Sequence, residues 1–390
     1  MRITKVSTLV CNAQMRNWVF VRVETDVPGL IGWGEATLEW KTRAVTGAIA
    51  DLEPLLIGQD PRDIEQCFQI MTRHGFWRMG IIGMSAISGI EIALWDILGK
   101  SLDTPVWRLL GGRVRSHLRT YTHLGLGSMT SVYETDGADE LADLGRDVVR
   151  AGYSALKVVS IPYVHYIAPN RAIDRVGEAM SALRAAVGPD VDIMVDFHGR
   201  PASASLAIEF LKVLAPFRIL FAEEPVPPEN IDALSSLVRT SPVTIAAGER
   251  IVGRSGFDAA LRAGAFHIAQ PDIVHVGGLW EAKKIAAMCE TAGIGVAPHN
   301  PLGPIAGIAA LHFGISTPNH IIQEEMVGAV PWYDTVVRWP IDRAPGRWDC
   351  PDRPGLGLEV DEAEVGRHPF EQELLHPRNA VLPDGTVVDW

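Results

Sequence analysis

Six polar residues in the second half of the chain, Asp196, Glu223, Glu249, Asp272, His299 and Glu324, each close a short apolar run, and they recur at intervals of 27, 26, 23, 27 and 25 residues. Such an interval holds one strand, one helix and two loops. The runs are VDIMVDFHG at 191–199, ILFAEEP at 219–225, TIAAGE at 244–249, FHIAQPD at 266–272, GIGVAPHN at 293–300 and HIIQEEM at 320–326. All are short, mostly apolar and often β-branched, as a parallel strand buried on both faces has to be. Between them, stretches such as SLAIEFLKVL at 205–214 and LWEAKKIAAMCETA at 279–292 carry the three-and-four spacing of an amphipathic helix. Two earlier runs, LRTYTHLG at 118–125 and SALKVVS at 154–160, bring the series to eight strands.

Strands alternating with helices predict a parallel sheet closed by βα units, an α/β fold of the modified (β/α)8 TIM-barrel type. In that architecture functional side chains project from the C-terminal ends of the strands. Asp or Glu after a strand is often only a helix cap or turn former. Glu is a poor cap, however, so capping does not account for the whole series.

A barrel needs about 250 residues, and the chain has 390. Residues 1–117 read as a separate α+β domain: strand-like runs MRITKVSTLV, WVFVRVET and GLIGWGEA precede helical patterns at 42–58, 63–74 and 84–102. The barrel is expected over 118–328. Residues 329–390 are rich in Pro, Gly and Trp with little helical period, too poor in core residues to fold alone. They are expected to pack back on the N-terminal domain.

Acidic residues outnumber basic ones, 47 to 35, and no basic cluster stands out, so nucleic acid is not an expected partner. No run of 18 apolar residues occurs and the first ten residues alternate polar with apolar, so neither a membrane span nor a signal peptide is expected. The four scattered cysteines, Cys11, Cys67, Cys289 and Cys350, form no CxxC and read as free thiols of a cytoplasmic protein.

Asp196, Glu223 and Glu249 end three consecutive strands and can converge. Three clustered carboxylates repel unless a cation sits among them, and an all-oxygen set suits Mg2+ above Zn2+. A glycosidase pair of carboxylates is the competing reading. It leaves His299 with Asp272 unexplained. Those two end neighbouring strands, close enough for the acid to orient the imidazole and raise its basicity. His198, two residues beyond Asp196, falls on the same face if the strand is still extended there. No GxSxG and no serine at a strand end point to a hydrolase.

The ordered set Lys157, Asp196-Phe-His198, Glu223-Glu-Pro, Ala-Gly-Glu249-Arg, Gln-Pro-Asp272, Pro-His299 and Gln-Glu324 resembles the mandelate racemase branch of the enolase superfamily. GWGEA at 32–36, MSAISGIEIALWDILGK at 84–100 and PGLGLEVDE at 354–362 extend the resemblance over nearly the whole chain. DFHGR, LAPFRILFAEEPV, AAGER and PHNPLGPIA are similar to the D-galactonate dehydratases of that branch. The resemblance implies a Mg2+ held by Asp196, Glu223 and Glu249, stabilising the enediolate that forms when a sugar acid loses the proton beside its carboxylate. It implies His299 with Asp272 as the base, Glu324 as the group that hydrogen-bonds the substrate carboxylate, and a supporting role for Glu224. It also implies an N-terminal capping domain that selects the substrate, and a homo-oligomer.

His198 favours dehydration, because a departing hydroxide needs an acid to protonate it. Racemases of the branch carry Lys-x-Lys at the second strand, where this chain has Lys157-Val158-Val159. Val159 removes the second-face base, while Lys157 can still bind the anionic substrate. The galactonate dehydratases resemble one another in a polar amide at the place of Val159; here the following loop supplies Tyr163, His165 and Tyr166. Capping-domain candidates for substrate contact are Arg16, Trp40, Lys41, Trp77 and Arg78. The expected activity is dehydration of an aldonate such as D-galactonate to a 2-keto-3-deoxy acid. Cycloisomerization of an anhydro-sugar acid or lactone, and a non-catalytic sugar-acid sensor, are the alternatives.

Overall fold

The computed structural model describes residues 1–390 apart from 134, 136 and 374–379, and apart from the side chains of 129 and 130. Its first three strands, β1 (Ile3–Ala13), β2 (Arg16–Thr25) and β3 (Ile31–Glu35), form an antiparallel sheet. Helices Thr42–Leu56, Ile64–Arg73 and Gly80–Ser101 follow. The last is apolar and long enough to cross a membrane, yet 78% of its most apolar window is buried inside the fold, so it is a core helix. It lies tightly on β3, where a Cβ at Gly34 would collide with the carbonyl oxygen of Gly89. Close backbone approach is thus the physical reason for glycine in GWGEA.

Eight parallel strands form the second layer: β4 (His117–His123), β5 (Ala155–Val158), β6 (Asp192–Asp196), β7 (Phe221–Glu223), β8 (Ile245–Ala247), β9 (Ile268–Ala269), β10 (Gly295–Val296) and β11 (Gln323–Glu325). They pair in chain order from β4 to β10, and β11 pairs back onto β4. A bridge between Val296 and His320 joins the remaining seam, so the barrel is closed. Seven helices, from Ala138–Arg150 to Pro304–Ser316, each follow one of the strands β4 to β10. Among the described residues β11 leads instead into a short 3-10 turn at Val327–Ala329, and this is how the barrel departs from eight full repeats.

The interior of the barrel explains the intervals in the sequence. Tyr121, Ala155, Met194, Phe221, Ala246, Ile268, Ala297 and Ile322, one residue from each successive strand or its immediate edge, pack as a single buried cluster. Large and small side chains are mixed, which plugs the barrel as a solid layer. Two residues further on in six of these strands stand His123, Lys157, Asp196, Glu223, His299 and Glu324. A strand repeats its facing every two residues, so the apolar plug and the charged layer above it are set by one alternation.

Residues beyond β11 touch both layers. A hairpin of β13 (Arg343–Ala344) and β14 (Arg347–Asp349) pairs with the start of β4, while β12 (Val337–Arg338) pairs with β15 (Glu359–Val360). Against the N-terminal domain, Trp332 donates to Asn12 O at 2.8 Å and Trp33 donates to Glu359 at 2.8 Å.

Buried acids of the N-terminal domain fasten it to the rest. Glu35 accepts from the backbone of Gly303 and Ala306, both at 2.8 Å, at the start of helix Pro304–Ser316. Glu91 accepts from Leu279 at 2.8 Å and Trp280 at 2.9 Å at the start of helix Leu279–Thr291. Each carboxylate thereby satisfies helix N–H groups that have no partner within the helix. Asp96 accepts from Trp33 at 2.9 Å and from Leu356 at 2.8 Å, joining β3 to the C-terminal segment.

Candidate active site

The C-terminal rim of the barrel encloses a cavity of about 250 Å³ lined by Lys157, Asp196, His198, Glu249, His299 and Glu324 together with Leu38, Glu39 and Trp40 from the N-terminal domain. Carboxylate oxygens of Asp196, Glu223 and Glu249 all lie within 4.8 Å of one another. Asp196 and Glu223 stand opposite each other in the pairing of β6 with β7. The β8 slot is filled by Gly248, whose φ of +144° would strain any side chain and whose added Cβ would stand 2.9 Å from Gln270 N. Glu249, the next residue, therefore reaches the cluster from just past the strand. Oε1 of Glu223 is buried without a hydrogen-bond partner among the described residues. That orphaned oxygen and the all-oxygen donor set fit a hard divalent ion.

Lys157 is not at the rim, where a snorkelling lysine would sit. Only 1% exposed, its ammonium lies 2.6 Å from Glu324, 2.8 Å from Glu223 and 3.4 Å from Asp196. Burial would lower the lysine's pKa, but Glu223 and Glu324 outweigh it and hold the ammonium charged. Reciprocally, burial would raise Glu324, yet Lys157 and His299 hold it well below the usual carboxylate range. Burial likewise raises Asp196 and is overcome by His198 and Lys157. Glu249 behaves oppositely: burial pushes it well up, opposed mainly by His299.

His299 Nδ1 lies 2.7 Å from Asp272 Oδ2, and its Nε2 lies 3.6 Å from Glu249. Asp272 is itself held by the backbone N–H of Val274 at 2.7 Å. Burial opposes protonation of His299, but Glu249 and Glu324 prevail and keep its basicity well above the ordinary histidine range.

His198 reaches the site by a different route from alternation along β6. The strand ends at Asp196, and His198 adopts φ +53°, so the chain is no longer extended there. Asp196 Oδ1 accepts the His198 backbone N–H at 2.9 Å, an Asx turn that swings the imidazole back until Nε2 lies 3.3 Å from Asp196 Oδ2. Left-handed backbone at a non-glycine residue is strained and concentrates at functional sites. Glu224, also at positive φ, receives Arg250 Nε at 2.6 Å and supports the turn.

The remaining candidates separate. Trp40 lines the cavity, whereas buried Arg16 donates to Pro301 O at 2.9 Å and pairs with Glu39. Trp77 and Arg78 line a different cavity, about 820 Å³, between the N-terminal helices and the barrel helices. Val159 packs with Val132 and Met326, so the place of a second-face lysine is apolar. Tyr163 stacks on the Arg200 guanidinium at 4.3 Å, while Tyr166 is exposed.

Several lining residues were not singled out by the sequence. His123, at the end of β4, bonds Glu324 Oε1 at 2.7 Å. It occupies the slot that six strands share, and that alternation was the available signal. Tyr133 and Trp390 also line the cavity, and nothing in their local sequence marks them.

A closed barrel with three rim carboxylates, an Asp–His pair and an α+β domain fastened over it is the architecture of the enolase superfamily. Residues 140–364 match the enolase C-terminal domain-like family, and residues 3–111 match the N-terminal domain of mandelate racemase/muconate lactonizing enzymes. The chain belongs to the mandelate racemase/muconate lactonizing enzyme family. It is 39% identical to a D-galactonate dehydratase of Verminephrobacter eiseniae over 99% of this chain and 100% of that one. It is 38% identical to a D-galactonate dehydratase of Cronobacter sakazakii over the full length of both. Among solved structures, a mandelate racemase/muconate lactonizing enzyme-like protein from Roseovarius superposes with a TM-score of 0.89 at 34% identity, covering 96% of this chain and 97% of that one.

Proposed function

We propose that the chain is a Mg2+-dependent dehydratase of a sugar acid, an aldonate such as D-galactonate, yielding a 2-keto-3-deoxy acid. The observation that carries this reading is the pair of histidines facing one cavity from the loops after two different strands, each beside a different acid: His299 against Asp272 and His198 against Asp196. Full-length likeness to enzymes named D-galactonate dehydratase supports the reaction class and the substrate.

Asp272 holds the Nδ1 hydrogen of His299, and once Glu249 is engaged by a cation and no longer holds the imidazole protonated, Nε2 is free to accept the proton on the carbon next to the substrate carboxylate. A Mg2+ held by Asp196, Glu223 and Glu249 would supply the positive charge that stabilises the enediolate. His198 then protonates the departing 3-hydroxyl, help typically worth about 10²–10⁴ in rate. Lys157 and Glu324 act together at the substrate carboxylate. An ionised Glu324 has no hydrogen to donate, so Lys157 supplies it, or Glu324 takes up a proton as substrate binds. The apolar surroundings of Val159 support a single base and disfavour racemization.

The test is incubation with Mg2+ and a panel of aldonates, aldarates, anhydro-acids and lactones in D2O. A 2-keto-3-deoxy product from an aldonate, lost on exhaustive chelation and restored by Mg2+, is expected. Epimerised acid without keto product, or full activity after chelation, would overturn the proposal.

A further inference from the structure

The His198 imidazole is held differently from that of His299. Its Nε2 makes one long contact with Asp196, at 3.3 Å, and its buried Nδ1 has no hydrogen-bond partner among the described residues. An acid that must deliver a proton along a defined line needs its ring fixed, and here aromatic rings surround it. Trp390 lies with its ring centroid 5.0 Å from that of His198, tilted by 44°. Tyr133 lies 5.7 Å from His198 and 4.9 Å from Trp390. Trp40, from the N-terminal domain, meets Trp390 edge-on at 4.8 Å. These are the separations of favourable tilted and edge-to-face pairs.

Trp390 is brought there by a small hairpin, in which Leu382 N donates to Thr386 O at 2.8 Å and Val388 N donates to Ala380 O at 3.0 Å. It lines the cavity with Trp40 and Tyr133, so one ring touches residues contributed by the N-terminal domain, by the stretch after β4 and by the turn after β6. We propose that Trp390 is a positioning residue for the dehydration step: wedged among Trp40, Tyr133 and His198, it fixes the imidazole toward the departing oxygen and keeps water from it. The inference rests on the acid role proposed above for His198. It implies that removing the ring uncouples the two halves of the reaction, because proton abstraction by His299 does not depend on the His198 ring.

Two readouts test it in Trp390→Ala and Trp390→Phe. In protein labelled at the histidine Cε1 carbons, with the His198 signal identified by its loss in His198→Asn, that signal moves in Trp390→Ala and stays closer to wild type in Trp390→Phe. In D2O, Trp390→Ala lowers kcat for dehydration at least tenfold while deuterium still enters the unreacted acid beside its carboxylate, and Trp390→Phe restores most of the loss. An unmoved His198 signal, or equal falls in exchange and dehydration, would overturn the inference. If the wild-type enzyme dehydrates no sugar acid, the proposed reaction fails, and the His198 signal alone decides the placement of Trp390.

Discussion

His299 Nδ1 stands 2.7 Å from Asp272 Oδ2 across neighbouring strands, so one nitrogen of the imidazole is committed and the other is left facing the cavity. Replacing His299 by Asn is expected to lower turnover by at least about 10²–10⁴, the range for loss of general base catalysis. Asp272→Asn should fall less, since the imidazole remains but loses the acceptor that sets its tautomer. Deuterium uptake beside the substrate carboxylate measures both, and uptake that survives in His299→Asn would remove the base assignment.

Lys157 is the buried counter-charge of three carboxylates. Lys157→Met leaves those charges unpaired, a change of the kind that costs about 3–5 kcal/mol. The loss should be greatest without divalent ion and partly recovered when Mg2+ is added, because a ligand that binds only the folded state stabilises it. Thermal unfolding with and without Mg2+ reads this directly. Equal shifts for variant and wild type on adding Mg2+ would argue against a shared electrostatic site.

Glu35 and Glu91 are fully buried, and burial raises each to a pKa of about 7 despite the N–H groups they accept from. The folded protein therefore binds more protons than the unfolded chain between the ordinary carboxylate pKa and about 7. Stability is fully present below that window and declines as pH rises through it, by an amount of order 3 kcal/mol for each group. Urea midpoints measured from pH 4.5 to 8 should show the decline, and Glu35→Gln should flatten it. A rise of stability over the same window that both Glu→Gln variants leave in place would contradict the assignment.

Gly303 has no Cβ because Glu35 occupies the space: an added methyl would lie 2.6 Å from Glu35 Oε1. Gly303→Ala should destabilise by about 1–3 kcal/mol, the usual cost of overpacking. Its denaturation midpoint would reveal this. An unchanged midpoint would mean that the fastening between domains tolerates a shift of the carboxylate.

Much of the molecule was legible before folding because the barrel's information is local. The run at 191–199 shows its strand by β-branched residues, and the strand's facing period then dictates that Asp196 shares a face with Met194; the same logic places Lys157 above Ala155 and Glu324 above Ile322. The resemblance over 196–200 and 298–306 added roles that spacing cannot supply. Where alternation was extrapolated too far, at His198, the histidine was found near the expected place for another reason, a left-handed Asx turn closed by Asp196 itself.

Short apolar runs mark each strand and the residue at its rim, and their recurrence at intervals of 23 to 27 residues requires the βα series that closes as a barrel. Which distant groups meet those residues is settled by packing alone. Lys157 is buried among acids instead of reaching for solvent, Glu35 and Glu91 cap helices more than 180 residues away, and Trp390 lies against His198. Those contacts join segments whose separation is bridged only when the chain packs. No local period encodes them.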